Sequence, residues 1–257
     1  MDSTNQPQPE KEPCMSSPAE RTVAAMSRFP ACPRGRLRFL VTAGPTYEDI
    51  DAVRFLGNRS QGHMGIAVAQ AALEAGHQVL LILGPTEARP PAGCPVVRVR
   101  SAEDMYQAVL AAMAWVDVLV MAAAVADYRP AERVPGKLHK QDADLALRLE
   151  RTRDILHAVA GRGRERVTVG FSLEPELDLD RAEAKRAAKR VDILVANSVR
   201  AMGTHRTDAV VLERDREPSS GFPDKQALAR HLVDRAISWA AERLPGRNLQ
   251  DAQEEAP

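Results

Sequence analysis

Short apolar runs alternate with amphipathic segments along most of the chain. Apolar runs that stop at glycine or proline predict strands at residues 37–43 and 78–83, and the nearly all-apolar residues 117–124 predict a central strand. Apolar positions at helical spacing predict helices at residues 64–75 and 102–115. Further strands are predicted at residues 96–100, 145–149, 167–172, 193–196 and 209–213, and further helices at residues 154–160, 180–190 and 224–243. Because strands alternating with helices form βαβ units, we predict an α/β protein with a Rossmann-like, doubly wound, mostly parallel sheet and helices on both faces.

The two ends of the 257-residue chain lack this pattern. Residues 1–35 are polar and rich in proline, and residues 245–257 are similar in character. Such segments bury too little apolar surface to fold, so we expect a disordered tail at each end of a single domain at residues 36–244. Within the N-terminal tail, only residues 19–26 have the pattern of a short helix.

Composition excludes several classes of function. Lys and Arg together number 35, as do Asp and Glu, so the formal net charge is zero and aromatic residues make up only 4%. A protein that binds nucleic acid through its phosphates usually carries a basic excess, so we expect no nucleic-acid partner. The three cysteines form no CxxC motif, which argues against a disulfide framework or a zinc site. No apolar run approaches roughly 18 residues and no signal-peptide pattern is present, so we expect a cytoplasmic protein with no membrane partner.

Candidate chemistry lies after the strands, because ligands of doubly wound folds bind beyond the carboxyl ends of their strands. After the first strand come Gly44 and then a loop with Arg54, Asn58 and Gly62. This loop resembles a phosphate site, but it lacks the G-x-G-x-x-G spacing and, at about 20 residues, is far longer than a Rossmann turn. Its polar groups could hold a carboxylate and a phosphate. An ordinary long loop with glycines for close packing explains the pattern equally well.

Two more segments follow the central strand. Small side chains at Ala122, Ala123 and Ala124 would let a flat ring approach the backbone, and Asp127 could accept hydrogen bonds from a base or ribose. Farther on, Lys137 lies in a basic run that could neutralise a phosphate. A tightly packed strand end and a solvated surface run are the alternatives.

Two predicted helices add candidate anion contacts. Thr152 and Asp154 open one helix, where free N–H groups suit an anion, although a simple helix cap explains them equally well. Lys185 and Lys189 share a face of another helix, where like charges repel by roughly a few tenths of a kcal/mol unless an anion lies between them. No Ser/His/Asp or Cys/His order accompanies these groups, which favours nucleotide-dependent activation over a covalent enzyme intermediate. A nicotinamide-dependent oxidoreductase is the alternative from another class, and the missing G-x-G-x-x-G counts against it.

Six motifs occur in one order between residues 37 and 197. They are Val-Thr-Ala-Gly-Pro-Thr at 41–46 with Asp-x-Val-Arg-Phe-x-x-Asn-x-Ser-x-Gly-x-Met-Gly at 51–65, Ala-Ala-Ala-Val-Ala-Asp-Tyr at 122–128 with Lys-x-x-Lys at 137–140, Thr-x-Asp-Ile-Leu at 152–156, Gly-Phe at 170–171, Ala-Lys-x-x-x-Lys at 184–189, and Asp-x-x-x-Ala-Asn at 192–197. This series resembles the phosphopantothenate–cysteine ligases. One departure is His63, at a position where many bacterial members carry lysine, and residues 202–207 differ as well.

The resemblance implies a step of coenzyme A synthesis. The carboxylate of 4'-phosphopantothenate attacks the α-phosphate of a nucleoside triphosphate, and L-cysteine then captures the acyl nucleotidylate as an amide. We expect CTP as the co-substrate, with ATP as the alternative, Mg2+ accompanying the triphosphate, and no flavin in this chain. A homodimer is also implied, as is a flavin-dependent decarboxylase that acts next in the pathway as a separate chain.

The resemblance also implies roles for individual residues. Asn58 matches an asparagine associated with the activated intermediate, to which its amide could donate hydrogen bonds, and Lys137 matches a lysine on a mobile flap near the α-phosphate. Both are therefore expected to be catalytic. Substrate binding is implied for Arg54, Asn58 and Gly62. Nucleotide binding is implied for Gly44, Ala122, Ala123, Ala124, Asp127, Lys137, Thr152, Asp154, Phe171, Lys185 and Lys189, and no metal ligand is implied.

Overall fold

A seven-stranded sheet forms the centre of the structure. The computed structural model describes residues 16–140, 145–160, 166–174, 176–198 and 207–244. In chain order the strands are β1 (Arg38–Ala43), β2 (Tyr47–Asp49), β3 (Phe55–Gly57), β4 (Gln78–Leu83), β5 (Val96–Arg98), β6 (Val118–Met121), β7 (Tyr128–Pro130), β8 (Leu149–Arg151), β9 (Val167–Glu174), β10 (Ile193–Ser198) and β11 (Val210–Glu213). The helices are α1 (Pro18–Met26), α2 (His63–Glu74), α3 (Ala102–Ala112), α4 (Ile155–Ala160), α5 (Leu179–Lys189) and α6 (Lys225–Arg243).

The strand order of the central sheet is β11-β10-β9-β6-β1-β4-β5. Every neighbouring pair is parallel except β10 and β11, which are antiparallel. The predicted Rossmann-like, doubly wound, mostly parallel sheet is therefore confirmed. Because the chain order reverses direction at β1 and β6, the carboxyl ends of these two strands open into a crevice.

Helices cover both faces of the sheet, and alternate residues of β1 enter different cores. Phe39 and Val41 pack into a core that includes α2 and α6, whereas Leu40 packs into a core that includes α3. All three side chains are fully buried, as a central parallel strand requires. No helix among the described residues is long and apolar enough to cross a membrane.

The N-terminal segment departs from the prediction of a disordered tail. Helix α1 packs against α3, and its Thr22 and Ala25 are buried. Ser17 and Glu20 form a reciprocal capping box at its start, which satisfies backbone donors and allows so short a helix to form. The tail prediction is therefore wrong for residues 16–35, although the helical pattern at residues 19–26 was correct; residues 1–15 and 245–257 lie outside the described residues.

Two small ribbons lie where long polar loops were predicted. Strands β2 and β3 pair as a hairpin inside the loop after β1, and β7 pairs with β8. The strand predicted at residues 145–149 is instead β8 at Leu149–Arg151. Three-residue strands are too short to show an alternating pattern, so sequence periodicity could not reveal them.

Glycine allows α2 to begin directly against the end of β1. A Cβ atom on Gly65 would lie 2.6 Å from the Cβ of Ala43 and 2.7 Å from the carbonyl oxygen of Thr42. Gly62, the residue that precedes α2, has a φ of 79° in the left-handed region. These two glycines set the distance between the first turn of α2 and the end of the strand.

Replacing Gly65 with alanine should therefore destabilise the protein. Overpacking costs about 1–3 kcal/mol, which exceeds the roughly 1 kcal/mol that alanine gains over glycine by helix propensity. Denaturant unfolding of Gly65→Ala should show a lower free energy of unfolding than the parent. Gln70→Ala, on the exposed side of the same helix, is the matched control and should change stability little. Equal stability of Gly65→Ala and the parent would contradict the close approach.

Candidate active site

A cavity of about 1020 Å³ opens at the carboxyl edge of the central sheet. Its walls are the loop before α2, the loop after β6, the segment leading into α4, the end of β9 and one face of α5. This is the position at which ligands of doubly wound folds bind. The volume is sufficient for a ligand of the size of a nucleotide together with a second substrate.

Most of the residues selected from the sequence meet in this cavity. The predicted residues that line it are Asn58, Gly62, Ala122, Ala123, Ala124, Asp127, Thr152, Asp154, Phe171, Lys185 and Lys189. Gly44 lies immediately behind the wall, because a Cβ on Gly62 would be 3.0 Å from the Gly44 nitrogen. Arg54 and Lys137 do not line the cavity. The structure thus brings the candidates together, and their individual roles remain predictions.

The amide of Asn58 is oriented by the backbone of the loop after β6. Its Nδ2 donates to the carbonyl oxygens of Ala124, at 3.0 Å, and Val125, at 3.1 Å. Because carbonyl oxygens only accept hydrogen bonds, this arrangement fixes which end of the amide faces the backbone. Oδ1 is therefore the atom that Asn58 can offer to a ligand. The expected role as a donor would require Nδ2 to leave these carbonyls.

Lys185 is held by two polar groups on β9. Its Nζ donates to Ser172 Oγ at 2.9 Å and to Glu174 Oε1 at 3.0 Å. The hydrogen bond from Lys185, followed by that from Ser172, lowers the pKa of the buried Glu174 carboxyl. Neither Ser172 nor Glu174 was selected from the sequence, although their position at the end of a predicted strand was the available signal.

Lys189 also has a carboxylate partner, since its Nζ lies 3.3 Å from Asp154 Oδ2. The two lysines on α5 are therefore neutralised by different carboxylates of the same protein. Repulsion between them consequently does not require an intervening anion, which removes that argument for a ligand. What remains is their location: both ammonium-bearing side chains line the cavity.

The segment leading into α4 satisfies its own polar groups. Thr152 Oγ1 donates to the Ala126 carbonyl at 2.6 Å, and Asp154 Oδ1 accepts from the backbone N–H of His157 at 3.0 Å. The Asp154 contact is that of a helix cap, whereas the Thr152 contact ties this segment to the loop after β6. Asp154 thus occupies the start of α4, where an anionic ligand was considered.

Mg2+ fits the carboxylates available in the cavity. Among the described residues there is no cluster of three or more His, Cys, Asp or Glu side chains that could hold a metal. The carboxylates in the cavity wall are those of Asp127, which is exposed, and Asp154, which is paired with Lys189. Mg2+ commonly takes one or two carboxylates and completes its shell with substrate phosphates and water, so Asp127 is the residue suited to such an ion.

The model of the DNA/pantothenate metabolism flavoprotein C-terminal domain family matches residues 35–239. The chain belongs to this family. It is 43% identical over 165 residues to the coenzyme A biosynthesis bifunctional protein CoaBC of Bacillus subtilis, a match covering 64% of this chain and 41% of that protein. The chain spans about half the length, or less, of the curated relatives that it matches. The resemblance inferred from the motifs is confirmed.

Solved structures agree with this assignment. The C-terminal domain of a CoaBC protein is 33% identical, with a TM-score of 0.69, over 82% of this chain and 99% of that one. A Cab2 mutant in complex with phosphopantothenate-cysteine shares the fold, with a TM-score of 0.68 at 14% identity over 88% of this chain and 92% of that one. Family membership therefore counts against the nicotinamide-dependent oxidoreductase.

Substitutions at Asn58 should distinguish the role of its Nδ2 from that of its Oδ1. In Asn58→Asp a carboxylate oxygen would face the carbonyl oxygens of Ala124 and Val125, so repulsion would displace the side chain. Asn58→Ala only removes the contacts. We expect Asn58→Asp to slow the second step of the reaction proposed below more than Asn58→Ala does, because only the aspartate adds repulsion to the loss of contacts. Rapid-quench measurement of that step checks the order, and parent-like turnover of Asn58→Ala would contradict any role in the reaction.

Proposed function

We propose that this chain is a phosphopantothenate–cysteine ligase that uses CTP. The observation that supports the proposal is the gathering of Asn58, Asp127, Lys185 and Lys189 in one cavity at the strand ends of a chain of this family. These groups suit an anionic nucleotide and an acyl substrate, and the B. subtilis relative is named as a coenzyme A biosynthesis protein. The compact motifs resemble bacterial members, which supports CTP over ATP.

The proposed reaction has two steps. A carboxylate oxygen of 4'-phosphopantothenate attacks the α-phosphorus of CTP, the bond to the β-phosphate breaks and pyrophosphate leaves. The amine nitrogen of L-cysteine then attacks the acyl carbon, loses a proton and displaces CMP. The first step is needed because a free carboxylate does not react with an amine, whereas the mixed anhydride has a good leaving group.

The cavity residues would have different roles in this reaction. Small side chains at Ala122, Ala123 and Ala124 let the nucleotide approach the backbone, and Lys185 and Lys189 face its phosphates. Oδ1 of Asn58 can accept a hydrogen bond from the attacking amine. Bound Mg2+, which Asp127 would help to hold, would neutralise charge on the triphosphate.

Pyrophosphate release tests the proposal directly. With CTP and 4'-phosphopantothenate alone, we expect release of about one pyrophosphate per active site, because the acyl cytidylate stays bound. Adding L-cysteine should give continuous turnover and CMP. The same assay with ATP establishes the nucleotide preference. No release with either nucleotide would contradict the ligase proposal.

A homodimer is proposed as the active form. The two ribbons expose apolar side chains, with Val53 62% exposed, Phe55 44% and Leu149 44%, and β2 packs against β7 so that the ribbons adjoin. An apolar surface of this kind commonly marks an interface, and a second copy of the chain would cover the same surface on both partners. The flavin-dependent decarboxylase that would consume the product is proposed as a further functional partner.

Light scattering checks the assembly. We expect a mass of about twice 28.1 kDa at assay concentrations. Val53→Asp introduces a charge into the apolar surface and should shift the protein toward the monomer. Gln70→Asp introduces the same charge on the exposed side of α2, which packs against α6, β1 and β4, and should not. A parent protein that is monomeric at all assay concentrations would contradict the dimer.

Lys137 is expected to act in the first step. Its ammonium would lie against the α-phosphate, where negative charge develops, so Lys137→Gln should lower kcat rather than nucleotide affinity. We expect single-turnover pyrophosphate release to slow by roughly a hundredfold or more, with nucleotide binding within a few-fold of the parent. Lys140→Gln, with the same charge change in the same loop, is the control. Near-normal release by Lys137→Gln, or a larger loss in Lys140→Gln, would contradict this role.

A further inference from the structure

The loop that carries Lys137 is bonded to the turn between β2 and β3. The backbone N–H of Val134 donates to the Ile50 carbonyl at 3.0 Å, and the N–H of Ala52 donates to the Gly136 carbonyl at 2.8 Å. The residue immediately before Lys137 is therefore held by a hydrogen bond to another part of the chain. The Lys137 side chain itself is exposed.

The residue after Lys137 is held by an ion pair in the same turn. Asp51 Oδ2 accepts from the backbone N–H of Leu138 at 3.0 Å, and Arg54 Nη2 donates to the Leu138 carbonyl at 2.6 Å. Arg54 Nη2 also lies 2.6 Å from Asp51 Oδ2. The pair thus contacts both polar groups of Leu138, and Lys137 is attached to the turn on each side.

Asp51 is a buried carboxylate at the centre of this arrangement. Its side chain is 0% exposed, and it also accepts from the backbone N–H groups of Val53, at 2.8 Å, and Arg54, at 2.7 Å. Burial raises the pKa of Asp51, but the hydrogen bonds from Arg54, Val53 and Leu138 outweigh burial and lower it well below its usual range. Asp51 is therefore ionised at neutral pH.

Burial also limits how Asp51 can influence the reaction. Asp51 does not line the cavity and has no exposed side-chain surface, so it cannot contact a substrate in this arrangement. Any effect of Asp51 on catalysis must therefore pass through the groups that it touches. Among these, Leu138 is the neighbour of Lys137.

We propose that Asp51, together with Arg54, is a positioning residue for Lys137. The inference rests on the proposed function, since it requires Lys137 to act on the α-phosphate. Fixing the peptide groups on both sides of Lys137 restricts the position from which its side chain would approach the α-phosphate. Less conformational freedom would then be lost on reaching the reactive geometry. On this account Arg54 acts through the loop rather than by binding substrate.

Asp51→Asn tests the proposal because it keeps the size of the side chain and removes an acceptor. The amide NH2 would face at least one N–H donor of Arg54, Val53 or Leu138, so the loop should detach from the turn. We expect kcat for pyrophosphate release to fall roughly 10- to 100-fold while KM for the nucleotide stays within a few-fold. We also expect faster trypsin cleavage after Lys137 and Lys140, mapped by mass spectrometry, because cleavage requires local opening.

Two further variants keep the test decisive. Glu150→Gln breaks the exposed Arg129–Glu150 pair between β7 and β8 and should alter neither cleavage nor kcat. If Asp51→Asn fails to fold, Arg54→Lys is available, since Arg54 is 47% exposed. Lysine keeps the charge but cannot reach both Asp51 and Leu138 as the guanidinium does, so cleavage in the loop should again accelerate.

A double variant separates positioning from a general structural effect. Asp51→Asn combined with Lys137→Gln should release pyrophosphate no more slowly than Lys137→Gln alone, because Asp51 acts only through that lysine. If the two substitutions slow pyrophosphate release by factors that multiply in the double variant, the proposal is overturned. Unchanged trypsin cleavage of the loop in both Asp51→Asn and Arg54→Lys would overturn it as well. If the parent protein releases no pyrophosphate, the proposed function is contradicted instead. Trypsin cleavage of the loop would then test only whether Asp51 and Arg54 anchor it.

Discussion

The candidate site depends on continued pairing of two backbones beyond the ends of β1 and β6. The N–H of Ala124 donates to the Gly44 carbonyl at 2.9 Å, and the N–H of Thr46 donates to the Ala124 carbonyl at 3.2 Å. These bonds continue the parallel pairing of the two backbones past the last residues of β1 and β6. The same Ala124 carbonyl accepts from Asn58. Strand pairing, the entry to α2 and the orientation of the candidate asparagine are therefore mechanically linked.

Two lysines of the cavity wall are held by polar groups of the protein itself. Lys185 is held by Ser172 and Glu174, and Lys189 lies against Asp154. Such pairs hold cationic groups in place, so little reorganisation is needed when a phosphate arrives. They also moderate the positive potential, because each carboxylate competes with an anionic ligand for its lysine. Under the proposed function, binding of a triphosphate would therefore depend on several contacts made together.

The ribbons link the periphery of the fold to the cavity. The turn between β2 and β3 holds the loop around Lys137, and β2 packs against β7. Exposed Val53 lies in that same turn, next to buried Asp51. A partner that covers the apolar surface would therefore also contact the element that anchors Lys137. Assembly and catalysis would be coupled through one short turn of the chain.

The sequence by itself determined the sheet, most of its helices and the segments that form the cavity. Short apolar runs that stop at glycine or proline, such as residues 78–83, are typical of strands buried between two helical layers, and parallel strands place their following loops at one edge. Only the tertiary structure decided which polar groups meet. Asp51 and Arg54 are three residues apart, yet their contact with Leu138 joins positions far apart in sequence, and Glu174 reaches Lys185 from another element. The reason is physical: periodicity reports which face of a segment is buried, whereas the partner of a polar side chain depends on how separate segments approach one another in space.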